Sequence, residues 1–177
     1  MPDRPALPPA PRLRRRTWVA AVALAAGLWV VGCDVQKIAE LEVGVTTEAD
    51  VRERWGEPAA VYTEADGTRT LEYPRQPMGQ VNFMLAIGPE GKLMALRQVL
   101  KPANFAKVEA GWDQPRVRRL LGKPAKVQRY ALKHQEVWDW RFNDSRGGQL
   151  FSVTFDDQGR VTSTATTADD AEAGHRG

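Results

Sequence analysis

The chain has 177 residues, 42% hydrophobic and 27% charged, with two histidines, one cysteine and a formal net charge of +3. A single cysteine excludes an internal disulfide, and two histidines leave little for a nitrogen- and sulfur-ligated metal centre. Five of the 25 Lys and Arg but one of the 22 Asp and Glu lie in residues 1–32, so the remaining 145 residues hold 20 basic and 21 acidic groups and the basic balance gives no argument for a nucleic-acid partner.

Residues 1–32 read as a leader. A proline-rich start, Met1 to Pro11, is followed by Arg12, Arg14, Arg15 and Arg16 and then by the apolar stretch Trp18 to Val31. That stretch is too short and wrongly flanked for a comfortable membrane span. The run Val30-Val31-Gly32-Cys33 resembles a bacterial lipobox. The resemblance implies cleavage before Cys33, a diacylglyceryl group on its sulfur and acylation of the new N-terminus. At about 0.8 kcal/mol per buried methylene, one chain is a marginal anchor and two or more hold firmly. The alternative is an ordinary secretory signal followed by a buried thiol. Arg15-Arg16 before Thr17 and Trp18 matches part of a twin-arginine signal, so both export routes fit.

The rest of the chain repeats itself. Gly44 and Trp55-Gly56-Glu57-Pro58 are echoed by Gly111 and Leu121-Gly122-Lys123-Pro124, at offsets of 67 and 66 residues. Phe83-x-Leu85-x-Ile87 with Gly91 is echoed by Phe151-x-Val153-x-Phe155 with Gly159, at an offset of 68. Ordered features at near-constant spacing point to duplication. The expected organisation is a signal peptide over 1–32, a first unit over 33–100, a second over 101–167 and a disordered tail over 168–177.

In chain order, Ile38 and Leu41 share a helical face within 35–43, and Thr47, with Asp50 three residues on, is a helix N-cap. Gly56 and Pro58 stop that helix. Strands follow over 59–63, 68–73, 81–87 and 92–98, with turns at Ala65-Asp66-Gly67 and Gly88-Pro89-Glu90-Gly91. The second unit repeats the plan. A short helix begins near Pro102, another carries Pro115 in its first turn and ends at Gly122 and Pro124, and strands follow over 126–130, 136–142, 149–155 and 160–166. The fold class is α+β: two tandem units, each with two short helices packed on a three- to four-stranded antiparallel sheet.

A lipobox cysteine, a Gly-x-Thr segment opening a short helix that ends in Gly-x-Pro, and a β-meander together resemble the SmpA/OmlA (BamE-like) lipoprotein family. Cys33, Gly44-Val45-Thr46, Val51 and Trp55-Gly56-Glu57-Pro58 carry the likeness, followed more loosely by Gly111, Val117 and Leu120-Leu121-Gly122-Lys123-Pro124. The resemblance implies a lipid-anchored, periplasm-facing accessory factor of outer-membrane protein assembly or envelope integrity, with the β-barrel assembly machinery as partner. A tandem pair of units also resembles the architecture of the β-lactamase inhibitor protein. That likeness implies the alternative, an inhibitor or regulator of an envelope enzyme such as a cell-wall transpeptidase or β-lactamase. Asp34, directly after Cys33, is a sorting residue that in enteric bacteria goes with inner-membrane retention, against the outer membrane of the family.

Catalytic chemistry is not expected. His134 lies in a polar turn and His175 in the tail, no serine sits in a nucleophile elbow, and no glycine-rich loop precedes a helix as a phosphate cradle. Asp156-Asp157 reads as a solvated hairpin turn. Apart from the lipid on Cys33, no cofactor or small-molecule substrate is expected. For a protein partner, Trp138, Trp140 and Phe142 alternate along one strand and form either a core or a docking platform. Trp112 sits in a loop one residue past Gly111 and needs a core pocket or a partner. Met84, Met94 and Leu96 are expected opposite Phe83, Leu85, Ile87 and Leu93, on a second apolar face that the second unit or another protein covers. The two sheets are expected to form one continuous surface across Leu100 to Asn104.

Overall fold

A computed structural model describes residues 37–169. The chain divides after Glu40, and the architecture below belongs to the compact unit that begins at Leu41. Cys33, Asp34, the leader and His175 lie outside the described residues.

Among its described residues this unit has three α-helices, a single 3-10 turn (Ala131–Lys133) and eight strands: α1 (Glu48–Trp55), β1 (Ala60–Thr63), β2 (Arg69–Pro74), β3 (Asn82–Ile87), β4 (Leu93–Gln98), α2 (Pro102–Phe105), α3 (Gln114–Leu121), β5 (Lys126–Tyr130), β6 (Gln135–Asp144), β7 (Gly147–Phe155) and β8 (Val161–Ala168). They form two antiparallel four-stranded sheets, β1-β2-β3-β4 and β5-β6-β7-β8, so the fold is α+β with few helices. The two sheets are not joined by strand pairing.

Local sequence explains why each long helix starts and stops. Thr47 caps α1 in a capping box with Asp50, and the Asp113 carboxylate accepts the Arg116 N–H at the start of α3. Both helices end at a glycine with positive φ, 79° at Gly56 and 77° at Gly122, where a side chain would be strained. Isolated bridges tie each N-cap to the residue just before the last strand of its sheet, Thr47 to Lys92 and Asp113 to Arg160. The β3–β4 and β7–β8 ladders slip register at matching places, Ala86/Ile87 and Thr154/Phe155.

Burial follows the strand alternation. On the first sheet Leu71, Tyr73, Phe83, Leu85 and Ile87 share one face. The Trp55 ring of α1 packs on it, edge-on at 5.4 Å from Tyr73 and 5.3 Å from Phe83. The opposite face carries Tyr62, Glu72 and Met84 and is covered by α3. On the second sheet Trp138, Trp140 and Phe142 face the same way as Phe151, Val153 and Phe155. These side chains form one core with Val117 and Leu121 of α3, Phe105 of α2 and Met84 of the first sheet. Helix α3 is therefore held between the two sheets, and Trp140 and Phe142 are core residues.

The slip at Met94 corrects the expected face assignment on β4. Leu93 pairs with Ile87 but Ala95 with Ala86, so Met94 is the extra residue and Leu96 falls opposite Leu85 instead of beside Met84. The first two residues of the segment expected as a tail, Ala168 and Asp169, differ from expectation as well. Strand β8 runs through Ala168, and Asp169 is buried, donating its N–H to the Gly148 carbonyl and pairing with Arg141 at 2.5 Å. No helix among the described residues is long and apolar enough to cross a membrane.

Candidate partner-binding site

The site is built around α3. Its Val117 and Leu121 turn toward the second sheet, while Arg118 and Arg119 reach the first. The Glu72 carboxylate, fully buried, accepts the Lys123 N–H at 2.8 Å and the Tyr62 hydroxyl at 2.6 Å, and the Arg118 guanidinium lies 3.4 Å away. A buried acid with a cation and two donors is satisfied; without them it would carry a large desolvation penalty. Burial, then the hydrogen bond to Glu72, pushes the Tyr62 phenol up to about 12. Burial works against the Arg118 charge, but Glu72 outweighs it and raises the arginine.

Both sheets also hold the C-terminal end of α3. The Asn82 amide donates to the carbonyls of Leu121 and Lys123 at 2.8 and 3.0 Å, and the Trp140 indole donates to the Gly122 carbonyl at 2.9 Å. These donors satisfy carbonyls that a helix end leaves unpaired. The Gln76 side chain extends the junction, exchanging hydrogen bonds with the backbone of Arg141 at 2.7 and 3.3 Å.

Beside this junction lies an apolar crevice of about 490 Å³, bounded by Ala59, Ala60 and Tyr62 on one side and by Pro115, Arg118 and Trp138 on the other. Strand β1 is a sheet edge, with free backbone groups along one side. Trp138 is half-buried. Its indole donates to Glu136 at 2.6 Å, and its ring lies 5.0 Å from Phe155. Burial alone would raise Glu136, but hydrogen bonds from Trp138, Arg129 and Gln114 outweigh it and hold this carboxyl below the usual range. The orientation of Trp138 is thereby fixed from both ends.

The residues expected at a partner surface divide in two. Met84 is 1% exposed and Trp140 fully buried, both inside the chain's own core, which corrects their assignment as contact residues. Trp138 lines the crevice. Trp112 is half-buried on the same helix-bearing side, with the Arg116 guanidinium 3.7 Å above its ring. Met94, 52% exposed, and Leu96 lie on the β4 edge, away from Trp138 in the fold. Tyr62 and Arg118 were missed by sequence reading. Their signal was Tyr62 two residues along from Ala60 on an edge strand, which gains meaning only once α3 is seen to cross it.

His134 is exposed, with a φ of 52°, and among the described residues no group of three His, Cys, Asp or Glu is placed to hold a metal ion. The Asp156 carboxylate accepts the N–H groups of Gln158 and Arg160, as a hairpin turn requires.

No family model and no curated protein matches the chain, and the likeness to SmpA/OmlA rests on the residues named for it. Among solved structures, a protein assigned as the osmotically inducible lipoprotein OsmE aligns at 26% identity and a TM-score of 0.35, over 44% of this chain and 90% of that one. A DUF4309 family protein, YjgB, from Bacillus subtilis aligns at 15% identity and a TM-score of 0.29, over 73% of this chain and 83% of that one. A protein assigned as a β-lactamase inhibitor protein from Streptococcus mutans aligns at 9% identity and a TM-score of 0.32, over 76% of this chain and 95% of that one.

Proposed function

We propose that this chain is a lipid-anchored, non-enzymatic interaction protein of the bacterial envelope, made of two BamE-like units, whose partner docks at the crevice beside α3. One observation carries the reading: a half-buried tryptophan, a tyrosine and an arginine line an apolar recess next to a free strand edge, on a junction held by hydrogen bonds from both sheets. Interfaces concentrate binding free energy in such aromatic and arginine anchors, and a preorganised recess lowers the entropy lost on docking. The lipobox residues ending at Cys33 support the anchor. The residues that resemble SmpA/OmlA support an accessory role in outer-membrane protein assembly or envelope integrity.

The test places a photo-cross-linking amino acid at Ala59 in the full-length lipoprotein, in native membranes, with and without Trp138→Ser. Cross-linking to a β-barrel assembly component that Trp138→Ser abolishes is the expected result. Cross-linking to a cell-wall transpeptidase or β-lactamase would establish the inhibitor reading instead, and adducts indifferent to Trp138→Ser would remove the crevice as the docking site.

A further inference from the structure

On the opposite side of α3 from the aromatic crevice lies a second cavity, of about 400 Å³, between β4, α2 and α3. It is lined by Arg97, Lys101, Lys107 and Arg119, with the half-buried Leu96 and Leu120 as apolar lining, and no carboxylate lines it. Beyond the leader this chain is close to neutral, with 20 basic and 21 acidic groups. The Arg119 guanidinium is turned to Glu64 and the Tyr62 ring, which leaves Arg97 on β4 and Lys101 and Lys107 at the two ends of α2 as three cations around one acid-free recess, a local accumulation and not a reflection of overall charge. Arg119 is paired with Glu64 at 3.0 Å, and the Lys107 ammonium donates to Asn104 at 3.1 Å. Arg97 and Lys101 are exposed and make no ion pair among the described residues.

We infer that this cavity binds a phosphate-type oxyanion on a ligand with a small apolar part. Like charges gathered in one recess repel one another, and an anion relieves that repulsion while accepting several charge-assisted hydrogen bonds. A phosphate suits this set better than a carboxylate, because its three free oxygens and higher charge engage an arginine fork and two lysines together. The volume lies in the range that holds small ligands, roughly 300–1,000 Å³. The half-buried side chains of Leu96 and Leu120 account for the apolar part. The phosphate comes from a soluble ester or from a phospholipid headgroup, and the experiment separates the two.

The full-length Cys33→Ala chain is titrated with inorganic phosphate and with phenyl phosphate, followed by amide NMR shifts of residues 97–107. It is also sedimented with vesicles of phosphatidylcholine, with and without phosphatidic acid. The double variant Arg97→Glu/Lys101→Glu is compared with Lys126→Glu/Lys133→Glu, which changes net charge equally at exposed positions elsewhere. The expected result is saturable binding, tighter for phenyl phosphate than for inorganic phosphate, weakened at least tenfold by the first double variant and unchanged by the second. Binding of phenyl phosphate in solution assigns a soluble ester. Sedimentation that depends on phosphatidic acid and on Arg97 and Lys101, without binding of the soluble probes, assigns a headgroup. Absence of any response that depends on Arg97 and Lys101, or equal loss in both double variants, overturns the inference.

Discussion

Glu72 and Asp139 occupy matching places in the two sheets and solve the same problem in different ways. Glu72 pairs across the ladder with Met84, and Asp139 with Ser152. Both acids are buried, at 0% and 4% exposure. Glu72 reaches out of its sheet to Arg118 and the Lys123 N–H of the other half, so the face that carries it becomes a junction. Asp139 is one methylene shorter and stays within its own sheet, accepting from Ser152 at 2.6 Å and Gln128 at 3.1 Å. Along with it, apolar Met84 is matched by polar Ser152. One backbone position thus serves a covered face in one half and a polar face in the other, through side-chain length and polarity alone.

The strongest way to break this comparison is to remove both acids in turn. Glu72→Ala is expected to destabilise the chain by about 2–4 kcal/mol, because it leaves the Lys123 N–H and the Tyr62 hydroxyl at the junction without their acceptor while Arg118, partly exposed, turns to water. Asp139→Ala should lose only about 1–3 kcal/mol, the penalty for small polar groups left unsatisfied. Urea unfolding of both variants measures the difference, and equal losses would mean that the junction does not depend on Glu72. The same contrast extends to the methionines of the first sheet. Met84→Ala opens a cavity in the shared core and is expected to cost about 2–4 kcal/mol. Met94→Ala, at an exposed bulge, should stay within about 0.5 kcal/mol.

A third pair sharpens the comparison at the helix ends. Gly56 and Gly122 have nearly equal φ, but a Cβ at Gly56 meets open space whereas one at Gly122 would lie 2.9 Å from the Asn82 amide. Gly56→Ala should therefore lose about 1–3 kcal/mol, from backbone conformation alone. Gly122→Ala should lose about 1 kcal/mol more, because it displaces the amide that holds Leu121 and Lys123. Thermal unfolding under one set of conditions separates the two.

A further contrast concerns pH. The Tyr62 phenol is raised in the folded chain to about 12 by burial and by Glu72, above the usual value near 10. Since the folded state keeps its proton where the unfolded state loses it, the contribution is complete below about pH 10 and is lost as pH rises toward 12. Tyr62→Phe should flatten that alkaline decline in a plot of unfolding free energy against pH. An unchanged slope would place Tyr62 outside the junction network.

Particular residues show how far sequence reading reached. Thr47, Gly56, Pro115 and Gly122 announce both long helices because caps and stops are local chemistry, and β5 was bounded correctly at Lys126 and Tyr130. The alternation of Trp138, Trp140 and Phe142 fixed a shared face but not its fate. Trp140 is core because α3 lies over it, while Trp138, two residues earlier, lines a crevice. The β4 faces were misassigned because one extra residue at Met94 shifts a period-two pattern, and nothing in the composition of Leu93 to Gln98 marks a bulge.

Local sequence sets where helices begin and end, the antiparallel meanders, the repeated glycine and aromatic spacing, and the lipobox resemblance at Cys33. Each depends on neighbours within a few residues or on a constant offset. Tertiary structure alone decided that α3 sits between the sheets and that Met84 is interior. It also brought Tyr62, Arg118 and Trp138 into one recess and Arg97, Lys101, Lys107 and Arg119 into another. Those groupings join residues up to 76 positions apart in the chain. They follow from which face of one sheet a helix of the other half covers, a choice set by packing and by the buried Glu72, not by any local pattern.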